Sequence, residues 1–176
     1  LDEGEVVING VTYSSLTPRL VEQLNVQFIH QERYLVSDFS IAQSMFLGQE
    51  TCFPNTPFVN HASMKKQAEE FLSNTLGISL DADTLIRDLS VAEAQIVQIA
   101  KALIFNPTLL VFDEPTAPLA RKEVDTLFAV IRKLKEQGIS IIYISHYLQE
   151  IAEICDRVTV LRNGINAGTV EMAKTT

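Results

Sequence analysis

Basic residues are in short supply: 14 Lys and Arg against 22 Asp and Glu leave the 176-residue chain with a formal charge of −8. That balance opposes non-specific attraction to nucleic acid or to an anionic bilayer, and no local basic patch stands out against it. Long apolar runs are missing too. The stretches at 109–112 and 139–144 fall far short of the ~18 to 20 residues that a membrane-spanning helix needs. The opening Leu1-Asp2-Glu3-Gly4-Glu5 is acidic and has no apolar centre, so it does not read as a secretory signal. The two cysteines, Cys52 and Cys155, stand alone, without C-x-x-C spacing or a His at ligand spacing. No structural metal is expected, and the pair reads as reduced. Neither internal repeats nor low-complexity segments occur. What the chain does have is apolar content, 47% hydrophobic against 20% charged. This is enough for one core in a domain-sized chain and excludes global disorder.

Turn chemistry and periodicity divide the chain. β-formers on either side of Asn9-Gly10 predict a hairpin over 5–13. Thr17-Pro18 reads as an N-cap and first helical residue of a short helix to 24, followed by a strand at 26–29. Helices are expected at 40–47, 63–76 and 91–105, the last with Ala92, Ile96, Ile99, Ala100 and Leu103 on one face. A polar loop carrying Pro54 and Pro57 lies between the first two. Ser90 and Glu93 form an S-x-x-E capping box. The rhythm then changes: 108–113 is a continuous apolar run, 122–137 an amphipathic helix and 140–145 a second apolar run. They predict a βαβ unit whose parallel strands are buried on both faces. A helix at 147–155, a strand at 157–161 and the Asn163-Gly164 turn complete an α/β pattern.

In such folds ligands bind beyond the carboxyl ends of the strands. The first buried strand delivers Asp113-Glu114-Pro115-Thr116 there, and the second delivers Ser145-His146. Two adjacent carboxylates suit phosphoryl chemistry: one can hold Mg²⁺, the other can orient or deprotonate an attacking water, and His146 could meet a terminal phosphate. Each piece also has a structural reading. Carboxylates after a strand cap turns, a strand-end His is an ordinary packed or exposed imidazole, Ser90 and Glu93 are explained by their box, and Gln is common in loops like that of Gln31.

Order and wording decide between the readings, because the sequence resembles the ATP-binding cassette (ABC) family of transporter ATPases. Leu109-Leu110-Val111-Phe112-Asp113-Glu114-Pro115-Thr116 resembles the Walker B segment with its following glutamate. Leu89-Ser90-Val91-Ala92-Glu93-Ala94-Gln95 stands at the family signature, His30-Gln31-Glu32 at the Q-loop and Ile144-Ser145-His146 at the switch histidine. The wording is similar to the first cassette of the tandem ATPase subunits of bacterial ribose, galactose and xylose importers, and to the related autoinducer importers.

The resemblance implies a partial P-loop NTPase (RecA-like) core with a parallel sheet at 1–31 and 106–176. A helical subdomain is inserted at 32–105, and a β-hairpin stands at the N-terminus. It implies ATP and Mg²⁺ as cofactors, with Asp113 and Gln31 toward the metal, Glu114 on the hydrolytic water and His146 on the γ-phosphate. Ser90, Val91, Ala92 and Gln95 would face ATP held by a second cassette, in the same chain or a partner. The other partners implied are a membrane permease, docking near Gln31 and residues 40–76, and indirectly a periplasmic or extracellular sugar-binding protein. No nucleic acid is expected. The protein would lie peripherally on the cytoplasmic face of the membrane and energise monosaccharide import.

Three departures from the family pattern matter. Val91 and Ala92 replace its usual glycines, Glu93 replaces its glutamine, and Ala120 stands where many members place an acid. In addition, none of the seven glycines is followed by Lys, so the phosphate loop G-x-x-x-x-G-K-[ST] is not found. With Leu rather than Met at position 1, the expectation is a fragment beginning after that loop. Such a chain would be inactive and poorly stable alone. The alternative is a catalytically inert module that binds a transporter or a partner cassette.

Overall fold

The computed structural model describes residues 4–30 and 35–172. It opens with the antiparallel hairpin β1 (Val6–Ile8) and β2 (Val11–Tyr13), turned by Asn9 and Gly10 at φ 52° and 77°. Those positive angles are what the tight hairpin turn requires, and Asn and Gly adopt them at least cost. Helix α1 (Pro18–Gln23) starts as its sequence predicts, with the Thr17 hydroxyl accepting from the Leu20 N–H at 3.3 Å. Strand β3 (Val26–Ile29) follows.

Helix α2 (Ile41–Met45) begins with a second capping box, in which Ser40 and Gln43 exchange side-chain bonds to each other's N–H. Helix α3 (His61–Phe71) is capped by Asn60 and widens into a π-turn at Leu72–Leu76, which Gly77 closes. A short 3₁₀ turn, Ile86–Asp88, precedes α4 (Val91–Leu103). Then come β4 (Leu109–Asp113), α5 (Arg121–Glu136), β5 (Ser140–Ile144), α6 (Leu148–Ile154) and the hairpin β6 (Arg157–Arg162) with β7 (Ile165–Glu171).

The central sheet is parallel, in the order β3-β4-β5, with Val26 paired to Leu109 and Leu109 to Ser140. This register aligns the carboxyl ends of all three strands. On one face Ile29, Leu110 and Phe112 are fully buried, in one core with Ile96, Val97, Ile99, Val124, Phe128, Ile131 and Leu134 of α4 and α5. Each such side chain contributes roughly 1.5 to 3 kcal/mol by leaving water.

Four expectations need correction. The 140–145 strand is not buried on both faces: Ile142 and Ile144 are exposed, because among the described residues β5 pairs only with β4 and no helix covers that face. Helix α4 is not one-sided. It is buried from Ala94 to Ala100 because it touches α2, β3 and α5 at once. The last strand has a partner, β7, whose polar and glycine-bearing sequence, Ile-Asn-Ala-Gly-Thr-Val-Glu, hid the pairing. Helix α3 starts two residues earlier than its apolar spacing suggested, since Asn60 is the capping acceptor.

Candidate functional site

Strand β4 ends in Asp113, half-buried at the carboxyl end of the sheet. The ladder runs one bond further, from the Glu114 N–H to the Ile144 carbonyl at 2.9 Å. The backbone then turns sharply, with Glu114 in the left-handed region at φ 46° and Pro115 buried behind it. This turn directs the Glu114 carboxylate toward the end of β5, where its Oε1 lies 2.9 Å from Nδ1 of His146. The two side chains are 30% and 60% exposed, so the pair stands at the surface with one side open. The His146 ring leans on Tyr147, with centroids 4.1 Å apart. Asp113, Glu114 and His146 are thus gathered at one end of the sheet.

Such a pair can act on water. One Glu114 oxygen is engaged by His146, and the other remains to orient or accept a proton from a nucleophilic water. With Nδ1 turned to Glu114, the opposite ring nitrogen of His146 is the atom available to an outside group, and it meets a phosphate oxygen only if it carries a proton.

The signature segment lies elsewhere. The Ser90 hydroxyl accepts from the Glu93 N–H at 3.2 Å, and the Glu93 carboxylate accepts from the Ser90 N–H at 2.8 Å. Val91 and Ala92, half-buried, supply the remaining first-turn N–H groups, which carry the positive end of the helix dipole. No hydrogen bond or ion pair among the described residues joins this segment to Asp113, Glu114 or His146. Gln95 is turned inward at 3% exposure, and among the described residues its amide nitrogen has no hydrogen-bond partner. Gln31 lies outside the described residues. Its neighbour His30 is tied to α4 by the Gln98 amide, which donates to the His30 carbonyl at 3.4 Å.

Sequence reasoning missed Glu150 and the hydroxyls around it. Thr116, Tyr143 and Ser145 all direct their hydroxyls to this carboxylate, which is buried in α6. A signal existed: Glu150 lies four residues before Ile154, hence on the same helical face. The apolar Leu148, which is strongly exposed, pointed the pattern the wrong way.

A metal ion would find hard oxygen donors here, since the Asp113 carboxylate ends the strand beside Glu114. Among the described residues no group of three or more His, Cys, Asp or Glu forms a cage. The donor set therefore fits an ion such as Mg²⁺ that keeps waters and phosphate oxygens as its other ligands. No helix among the described residues is long and apolar enough to cross a membrane.

Comparison with known proteins bears on this geometry. Residues 1–117 match the family model described as ABC transporter. The chain is 50% identical over 174 residues to the ribose import ATP-binding protein RbsA of Cereibacter sphaeroides, covering 99% of this chain and 34% of that protein. It is 42% identical to the protein of that name from Pseudomonas putida, with the same coverage. The chain therefore spans about a third of the length of these curated relatives. Among solved structures, 97% of the chain superposes on 70% of an ABC transporter cassette in its ADP conformation, with a TM-score of 0.78 and 21% identity. It also superposes on 74% of a dimeric cassette in a post-hydrolysis state with ADP and Pi, at a TM-score of 0.74 and 22% identity. Those superpositions establish the fold: mixed α/β, with a parallel sheet and an N-terminal antiparallel hairpin.

Proposed function

We propose, from the premise that the chain belongs to the ABC transporter family, that it carries the hydrolytic centre of an ATP-binding subunit. That subunit would energise the import of ribose or a similar monosaccharide. The observation that carries this reading is the Glu114 to His146 contact of 2.9 Å across the ends of β4 and β5.

Glu114 orients the attacking water through its unengaged oxygen and takes its proton. His146 holds the Glu114 carboxylate in place through Nδ1 and, once its outer ring nitrogen also carries a proton, donates from it to the γ-phosphate. Asp113, with Gln31, would hold Mg²⁺, which supplies charge neutralisation to the β- and γ-phosphates. Ser90 and the N–H groups of Val91 and Ala92 belong to a surface that meets ATP bound by a second cassette, in keeping with their separation from Glu114 and His146. For Ser90 to accept that role, the Glu93 carboxylate must leave the Ser90 N–H, since its charge opposes phosphate there. Gln95 contributes from beneath, as a support of the helix. The core comprises 1–31 and 106–176, and 32–105 is the helical subdomain that docks on a membrane permease. A sugar-binding protein outside the membrane delivers the solute, and the subunit lies peripherally on the cytoplasmic face.

The test is ATP turnover by the intact importer subunit with and without Glu114→Gln. Loss of the base is expected to lower kcat about 100-fold or more with ATP still bound. Turnover near the wild-type rate in that variant would sink the hydrolytic assignment. Ribose uptake in vesicles containing the permease then tests the solute.

A second reading, an inert module that binds a transporter or a cassette, draws on the absence of G-x-x-x-x-G-K-[ST] from these 176 residues. It expects the chain by itself to bind a partner cassette while showing no affinity for ATP.

A further inference from the structure

Glu150 is 8% exposed, and among the described residues it has no cationic partner. Instead, one of its oxygens, Oε2, accepts three hydroxyls: Thr116 at 2.8 Å, Tyr143 at 2.8 Å and Ser145 at 3.2 Å. Three hydrogen bonds on one oxygen leave the carboxyl little freedom to rotate. The Tyr143 phenol is held protonated well above its ordinary range, chiefly by burial, so it remains a donor to Glu150. Its ring is wedged between Phe112 and Phe128, with centroids 6.4 and 6.1 Å away.

The donors come from both sides of the reacting pair. Thr116 stands two residues past Glu114, in the turn that leaves β4. Ser145 immediately precedes His146, and its oxygen in turn accepts the Tyr147 N–H at 3.0 Å. The backbone on each side of His146 is thereby pinned through Ser145. His146 itself is 60% exposed, with its ring against that of its neighbour Tyr147, so little burial holds it in place. A buried charge is a poor way to gain stability alone, because an apolar residue of similar volume would avoid its desolvation.

We propose that Glu150 is a positioning residue: by joining the turn after β4 to the turn after β5, it sets the register of His146 against Glu114. This rests on the hydrolytic reading above only for its kinetic consequence. The geometric consequence, a fixed His146 ring, stands by itself.

The experiment uses the intact subunit with ¹⁵N-labelled histidine, carrying Glu150→Ala, Glu150→Gln or Glu114→Gln, with Glu153→Ala as a control on the same helix. Glu150→Ala is expected to lower kcat about 10- to 100-fold, the range that small misplacement of reacting groups produces. The KM for ATP should stay within about threefold, since binding is not disturbed. Glu150→Gln, whose amide oxygen still accepts hydroxyls, should restore most of the rate. In the ¹⁵N spectrum His146 should hold one tautomer, protonated at Nδ1, in the wild type, Glu150→Gln and Glu153→Ala, and become a mixture in Glu150→Ala. An unchanged His146 spectrum in a folded Glu150→Ala protein overturns the proposal, as does a matching loss in Glu153→Ala. If Glu150→Ala does not fold, Thr116→Val, which removes one tie while sparing the carboxylate, is read in the same way: tautomer mixing supports the proposal and a fixed ring overturns it. If Glu114→Gln retains turnover, the hydrolytic reading falls, while the spectrum of Glu150→Ala still decides the role of Glu150.

Discussion

The two faces of the β3-β4-β5 sheet carry similar apolar residues and meet opposite surroundings. On one, Ile29, Leu110 and Phe112 are 0% exposed beneath α4 and α5. On the other, Phe28 and Ile142 flank Val111 in one row and are each 48% exposed, as Ile144 is at 47%, while Val111 between them is 7% exposed. β-Branched and aromatic side chains favour strands on either face, so residue type does not tell them apart. What differs is whether another element reaches the face, and that is decided by chain segments far away in sequence. An apolar run thus reports that a strand belongs in an interior, not that this chain supplies both of its walls.

The sharpest way to break the comparison is to truncate one aromatic on each face. Phe112→Ala should remove about 3 to 5 kcal/mol in urea unfolding, which approaches the whole stability of an ordinary domain. Phe28→Ala should remove less than about 1 kcal/mol, because its ring already contacts water. Equal losses would mean that the second face is covered in solution. The lid of the buried face offers a smaller probe. Ser90→Ala breaks the capping box that starts α4 and should cost about 1 kcal/mol, measurable as a lowered urea midpoint at constant slope.

The open face is next. Ile142→Lys should change stability by no more than about 0.5 kcal/mol while reducing self-association in sedimentation velocity, since exposed apolar strands at a sheet edge invite pairing with other chains. Loss of folding in that variant would show the face to be part of the core. The smallest effect lies at the rim of the covered side, where Arg132 and then Arg121 hold the Glu153 carboxyl below its ordinary value of 4.5. A lowered folded pKa contributes stability that is complete above the ordinary value and is lost as pH falls through the folded one. The acid limb of the stability profile below about pH 4.5 should therefore be shallower in Glu153→Gln than in the wild type.

Local chemistry made most of the elements readable. Thr17, Ser40 and Ser90 cap helices by bonds to residues three positions on, and Asn9-Gly10 and Asn163-Gly164 turn hairpins through their own φ angles. These depend on near neighbours, which sequence displays directly. The same holds for Asp113, Glu114 and His146: parallel register carries them to one edge once the strands are identified. The fate of Gln95 and Glu150 was not legible. Whether a polar residue on a helix points to solvent or inward depends on neighbours such as Thr116 and Tyr143 around Glu150, and those are brought near only by the tertiary fold. The exposed face of β5 was hidden for a related reason, because burial is a property of neighbours and the strand shows only itself.

Glu114 occupies the left-handed region, where an L-residue carries roughly 1 kcal/mol or more of steric strain that glycine would not. Selection for folding alone would let this position drift toward Gly or Asn, and Val, Ile or Thr would be more strained there than Glu. A long acidic side chain at 114 is therefore a lasting tension between persistence of the fold and performance of the site. Homologues released from catalytic duty should betray themselves first at this residue.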